Sequence, residues 1–186
     1  MMDNFEHALS FVLAREGGRV DDPTDHGGRT NMGITQSTYN QYRSHMQLPP
    51  RDVWDMLENE ASAIYRSMFW QPSHCDEMPS PVDAVVFDSA VQLGVRKALQ
   101  FLQRALMVDD DGVLGPNTVD ALKALCQAQD GADRLAAHII RERYQFYTDI
   151  VAHDPTQQRF IHGWENRLAD LTLAIAIPST KSEVQA

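Results

Sequence analysis

Two carboxylic acids near the start of the chain, Glu16 and Asp25, have the settings that acid-base chemistry requires. Phe5, Ala8, Leu9, Val12 and Leu13 repeat at the three-and-four spacing of an amphipathic helix. Positions 5, 9, 12 and 16 share one stripe, so Glu16 continues the apolar face. A carboxyl there loses hydration, and the carbonyl end of the helix adds negative potential beside it. Both effects favour the protonated form that a general acid needs. Gly17 and Gly18 fit a helix stop with positive φ and leave little side-chain bulk beside the carboxyl. Asp25 lies in a polar, glycine-rich run where solvent and backbone donors would keep it ionised, and Thr30 adds a hydroxyl that could hold a water. A dry, protonated carboxyl facing a wet, ionised one is the pair that glycoside hydrolysis uses across the scissile bond. With a hydroxyl at the third position, the expected course is a single displacement by water with inversion. Each residue also has a plainer reading. A Glu before a Gly pair is commonly a solvated helix end, and Asp22 and Asp25 beside Pro and Gly are commonly turn residues bonded to their own backbone.

Residues 19–35 and the Gly pair before them hold five of the ten glycines of the chain, which predicts a loop with a small hairpin after the first helix. Thr35 is suited to cap a short helix over residues 37–45, which Pro49 and Pro50 end. From Arg51 to Phe69, the positions of Val53, Trp54, Leu57, Ala61, Ile64, Tyr65 and Met68 predict one helix of nearly five turns, a main wall of the core that buries Trp54. Pro81 suits the first turn of the next helix, with Val82, Val85, Val86, Ala90 and Leu93 inward and Gly94 as its stop. Further helices are expected through Ala98 to Leu106, from Pro116 towards Gly131, over residues 132–152 and over residues 155–177. The predicted fold is therefore mainly α with one small β-hairpin subdomain. Its expected division is an N-terminal lobe, 1–93, a helical part, 94–178, sharing one core with it, and a flexible tail, 179–186.

The formal charge of −10, from 26 acidic and 16 basic side chains, repels nucleic acid backbones and anionic membranes. Nucleic acid is not an expected partner. No run approaches the ~18 apolar residues of a membrane span, and the start, Met-Met-Asp-Asn-Phe-Glu-His, lacks the basic region of a secretory signal peptide. The expectation is a monomer made in the cytoplasm that reaches any outside substrate by cell lysis or through a holin-like or other export system. Cys75 and Cys126 read as reduced core residues.

Competing chemistries lack their residues. The seven histidines show no metal-ligand spacing and no His-Glu-x-x-His, so a zinc amidase or peptidase has no ligand set. There is no serine nucleophile elbow and no phosphate loop. In the acidic run Asp109 to Gly112, an EF-hand register with Gly112 sixth would put Met107 first and Thr118 twelfth, which refuses calcium. No metal and no cofactor are expected.

The spacing Glu16, Asp25, Thr30 resembles the Glu-Asp-Thr triad of phage-type lysozymes, with one residue fewer before the Thr. The closer resemblance is to the glycoside hydrolase family 108 muramidases of phage-like endolysins and secretion activators, in the lysozyme-like superfamily. Their motif runs Glu-Gly-Gly-Tyr, then Asn-Asp-Pro-x-Asp-Pro-Gly-Gly-x-Thr-x-x-Gly-Ile-Thr. This chain has Glu16-Gly17-Gly18-Arg19, then Asp21-Asp22-Pro23-Thr24-Asp25-His26-Gly27-Gly28-Arg29-Thr30-Asn31-Met32-Gly33-Ile34-Thr35. The likeness continues through residues 61–66, 86–91, 111–118 and 163–167. Arg19 replaces the usual Tyr, His26 the usual Pro and Gln92 a frequent Asn.

The resemblance implies a lysozyme-like helical fold whose residues 94–178 form a peptidoglycan-binding-like part. It also implies hydrolysis of the β-1,4 bond between N-acetylmuramic acid and N-acetylglucosamine, in the periplasm or cell wall, with peptidoglycan glycan strands as partner. Glu16 would protonate the departing oxygen. Asp25 would activate a water or stabilise the oxocarbenium-like transition state, and Thr30 would position that water. Arg19, Asn31, Gln92 and Trp164 are the substrate-binding candidates. Two alternatives stay open: a lytic transglycosylase using Glu16 alone, and a non-catalytic wall-binding or secretion-assisting protein. The Asp-Gly-x-x-Gly-Pro-x-Thr run at 111–118 resembles the turn of peptidoglycan-binding modules, but a plain helix-to-helix turn explains the same residues.

Overall fold

The computed structural model describes residues 3–16 and 29–176. The first helix, α1 (Asn4–Leu13), buries Phe5, Ala8, Leu9 and Val12, the stripe that the periodicity predicts. Arg15 and Glu16 both donate their N–H to the Val12 carbonyl at 2.9 Å, so one more turn hangs Glu16 from the end of α1.

The hairpin pairs β1 (Thr30–Asn31) with β2 (Ile34–Thr35) in antiparallel register, Thr30 opposite Thr35 and Asn31 opposite Ile34. Met32 and Gly33 form its two-residue turn at φ 49° and 73°, the doubly positive geometry that matches strand twist. Asn31 Nδ2 donates to the Val53 carbonyl at 3.0 Å, and the Tyr65 hydroxyl donates to the Met32 carbonyl at 3.0 Å. The hairpin is thus tied down at two points. Thr35 then caps α2 (Gln36–His45), its Oγ1 accepting from the Thr38 N–H.

The long helix expected over residues 51–69 is not one element. Asp52 accepts from its own Trp54 N–H at 2.9 Å and holds a 3-10 turn at Val53–Asp55. The chain extends through Met56 and Leu57, and α3 begins only at Glu58 (Glu58–Tyr65). Met56 is consequently buried while Leu57 is exposed, the reverse of the helical register, and Trp54 is half-buried with Arg29 over its ring. A wider turn, Arg66–Trp70, follows α3, with the Gln71 N–H bonded back five residues to the Arg66 carbonyl.

Glu60 clamps α2 to this region. It accepts from Tyr39, Arg43, Arg51 and the Leu57 N–H. Burial alone would raise its carboxyl, but the hydrogen bonds from Leu57 and Tyr39 and the charges of Arg51 and Arg43 outweigh burial and hold it below the usual range. A depressed carboxylate stabilises the fold above its unfolded value, and that contribution disappears as pH falls through the folded one. Glu60→Gln is therefore expected to lower the urea midpoint at pH 7 and to match the wild type more closely at pH 3, below the ordinary value of 4.5.

The central element is α4 (Val82–Leu93), which packs on α1 and, beyond Gly94, on α5 (Val95–Leu106) and a later helix, α7 (Gly131–His153). Phe5, Tyr65 and Trp70 meet Phe87 edge-on at centroid distances of 5.4 to 6.3 Å. Gln103 organises the loop between α5 and α6 (Pro116–Cys126): its Nε2 donates to Asp111, the Val113 carbonyl and Thr118, and its Oε1 accepts from the Gly112 N–H. The run from Asp111 to Thr118 is a turn held by one buried amide. Two long helices follow, α7 (Gly131–His153) and α8 (Gln158–Ala176). One buried cluster runs from Phe5 and Val12 through Phe87 and Leu102 to Ile139 and Leu171. Among the described residues there are eight α-helices and a single two-stranded sheet, and no helix is long and apolar enough to cross a membrane. Cys75 is buried and Cys126 only half-buried, and both are free.

Candidate active site

Glu16 reaches its position because α1 carries it to the edge of the core and the hairpin folds over it. The carboxyl is about one-fifth exposed. It lines a cleft with Gly33 and Thr35 of the hairpin, Tyr65 of α3, Phe69 of the wide turn and Gln92 of α4. Gly33 permits the close approach: a methyl there would lie 2.5 Å from the Tyr65 hydroxyl and 2.9 Å from Glu16 Oε2. Gly33→Ala is expected to cost more than about 1 kcal/mol for its positive φ alone. It should also depress any activity that depends on Glu16 by pushing the carboxyl aside, which thermal unfolding and an activity assay read separately.

Oε1 of Glu16 accepts two hydrogen bonds, from Gln92 Nε2 and from Arg167 Nη1, each 3.1 Å long. Arg167 comes from α8, 151 residues away in sequence. Its Nε and Nη2 donate to Asp88 Oδ1 at 3.1 and 2.7 Å. Asp88 Oδ2 in turn accepts from Arg143 Nη1 at 2.6 Å, and Arg143 Nε donates to the Tyr147 hydroxyl at 2.9 Å. Arg143 and Asp88 are essentially fully buried. Burial alone would lower the Arg167 guanidinium, but the hydrogen bond and charge of Asp88, with those of Glu16, hold it above its ordinary range. Burial and the charge of Glu16 push the Tyr65 hydroxyl up, so it keeps its proton and acts as a donor.

The other residues singled out from the sequence are variously placed. Thr30 starts β1 opposite Thr35; directly paired residues share a face of the ladder, and Thr35 lines the cleft. Asn31 is buried, with its amide spent on the Val53 carbonyl. Gln92 contacts Glu16 itself. Trp164 is half-buried, stacked on Tyr147 at 4.7 Å and one turn before Arg167 on α8. Asp25, Arg19, His26, Gly17 and Gly18 lie outside the described residues, as do Pro178 and the tail.

The residues that the sequence reading missed are Arg167, Asp88, Arg143 and Tyr65. Two signals existed: the segments of likeness at 61–66, 86–91 and 163–167 contain Tyr65, Asp88 and Arg167, and Asp88 sits among Val85, Val86, Phe87 and Ala90 on a helix buried along most of its length. A carboxyl that stays ionised when buried needs a cation.

A roomier groove, about 190 Å³ against about 120 Å³ at Glu16, runs along α1, α4 and α8 past Phe11, Pro81 and Leu171. Its one carboxylate, Asp133, is exposed, so that groove has none of the held acid chemistry of the smaller cleft.

Compared with known families, residues 9–94 match the model described as Glycosyl hydrolase 108 and residues 97–169 the one described as Predicted Peptidoglycan domain. Among solved structures the chain is similar to SagA of Brucella abortus, at 30% identity and a TM-score of 0.72, over 94% of this chain and 97% of that one. No curated protein matches it.

Proposed function

Because the chain belongs to the glycosyl hydrolase 108 family, we propose that it is an N-acetylmuramidase that cuts the β-1,4 bond between N-acetylmuramic acid and N-acetylglucosamine in peptidoglycan, with Glu16 as the general acid. The observation that carries this reading is the carboxyl of Glu16 at a helix end, in a cleft roofed by the hairpin, with one oxygen held by Gln92 and Arg167. A general acid must present a proton at a fixed point, and a carboxyl gripped through one oxygen does so through the other. Proton transfer to the glycosidic oxygen lets the bond to the anomeric carbon break with its electron pair on the departing sugar. Asp25 then activates the attacking water or stabilises the oxocarbenium-like state, and Thr30, on the Thr35 face of the hairpin, positions that water. Water supplies the new hydroxyl, so no cofactor enters.

Residues 97–169 match a predicted peptidoglycan domain, and we take the wall glycan as the partner and the cell wall or periplasm as the place of action. The exposed Phe160 ring, with the half-buried Trp164 beside it on α8, offers an edge for a sugar ring to stack on.

The test is incubation with purified peptidoglycan, following turbidity and then reducing the new chain ends with borohydride. Muramitol as the new end supports the proposal. Glucosaminitol would move the cut to the other glycosidic bond. Co-sedimentation with no new ends would leave a wall-binding protein without catalysis.

A further inference from the structure

We infer that Arg167 is a positioning residue for Glu16, so that the last helix completes the catalytic centre in addition to any glycan it holds. The inference rests on the reading of Glu16 as the acid and goes beyond it, because it assigns which carboxyl oxygen is held, which is left to face the substrate, and which distant element decides this.

Two donors, Arg167 Nη1 and Gln92 Nε2, converge on Oε1 at 3.1 Å. Both bonds end on Oε1, which leaves Oε2 as the oxygen that can present a proton to the substrate. That atom faces the hairpin turn, 2.9 Å from where a Gly33 side chain would begin. The guanidinium can hold this aim because its other edge is locked: Nε and Nη2 grip Asp88, and Arg143 fixes Asp88 from behind. A planar fork holds two carboxyl groups in one fixed geometry, which an ammonium on a flexible stem does not impose.

The charge balance follows the reaction. In the acid form of Glu16 that the reaction uses, Arg167 and Arg143 against Asp88 leave one net positive charge. When Oε2 gives its proton to the leaving oxygen, the four groups become neutral, and Arg167 stabilises the carboxylate just formed. Among the described residues, the charged and titratable groups around Glu16 are Arg167 from α8, Asp88 from α4 behind that guanidinium and Tyr65 from α3, with Arg15 next to it in the chain and paired to Asp170. The described part of the hairpin presents Gly33, Ile34 and Thr35, none of which titrates.

The experiment compares wild type, Arg167→Gln and Arg167→Lys in the full chain, with solubilised peptidoglycan as substrate, reading kcat and KM across pH together with thermal unfolding. For Arg167→Gln, kcat should fall by up to about 100-fold, as expected when a reacting group is misplaced by about an ångström, with KM little changed. The high-pH limb of its profile should move upward, because a positive neighbour of the acid is gone. Arg167→Lys should keep the limb near its wild-type position while kcat falls, because the charge remains and the fork does not. A folded Arg167→Gln with wild-type kcat and an unmoved limb would overturn the inference. So would a loss of activity that only tracks the unfolded fraction. If Arg167→Gln does not fold, Arg167→Lys decides alone: reduced kcat supports the inference and full kcat overturns it. Failure of the underlying reading looks different, since the wild type would then release no fragments or Glu16→Gln would be as active as wild type.

Discussion

Glu16→Gln is expected to leave the fold in place and to reduce peptidoglycan cleavage by at least ~100-fold and up to ~10,000-fold, the usual worth of positioned acid catalysis. The fold should survive because the amide keeps an oxygen where Oε1 stands, so both Gln92 and Arg167 retain an acceptor. The amide nitrogen takes the place of Oε2 beside Gly33 and has no acidic proton to give. Exchange of a carboxyl for an amide acceptor opposite Arg167 should cost on the order of 1 kcal/mol, and Asp88 continues to hold the guanidinium. Initial rates of fragment release from equally folded samples provide the check. A variant with more than a few per cent of wild-type rate would place the acid elsewhere. Glu60 would be a poor substitute, being committed to Arg43, Arg51 and Tyr39.

Arg143→Met is expected to produce the largest loss of stability, about 3 kcal/mol, the low end of the cost of stranding a buried charge. The low end applies because Asp88 would keep Arg167, whereas a lone carboxylate would lose everything. Arg143 is completely buried and bridges Asp88, Ser89 and Tyr147, so methionine fills much of the volume but satisfies none of the three. The urea midpoint should drop with an unchanged slope. Adding Asp88→Asn should recover part of the loss by removing the stranded charge, giving a non-additive pair. If the double variant is less stable than the two single losses predict, the buried charges are not what Arg143 is there to neutralise.

What the sequence made legible was what local signals encode. The stripe of α1, the Thr35 cap and the stop at Gly94 each depend on a few neighbouring residues, and each lies where periodicity or capping chemistry puts it. The split of the expected 51–69 helix was not legible because the apolar spacing runs straight through it. What breaks it is Asp52 bonding its own backbone and Glu60 accepting from Leu57, side-chain choices that periodicity does not register. In the same way the motif pointed to Glu16 but not to its grip. The path Arg143, Asp88, Arg167, Glu16 crosses α7, α4, α8 and the end of α1, and helical spacing on any one of them shows only a polar residue. The second carboxylate, Asp25, rests on the motif alone.

The account makes Glu16 an acid in a reaction that consumes water, and one measurement addresses both halves. Purified peptidoglycan should be digested to low extent in water enriched in oxygen-18, reduced at once with borohydride, and the fragments weighed by mass spectrometry. The account predicts muramitol ends that carry one heavy oxygen, made by the wild type and absent with Glu16→Gln. Fragments ending in unlabelled 1,6-anhydro-muramic acid would contradict it, because the sugar's own hydroxyl, and not water, would then have closed the reaction.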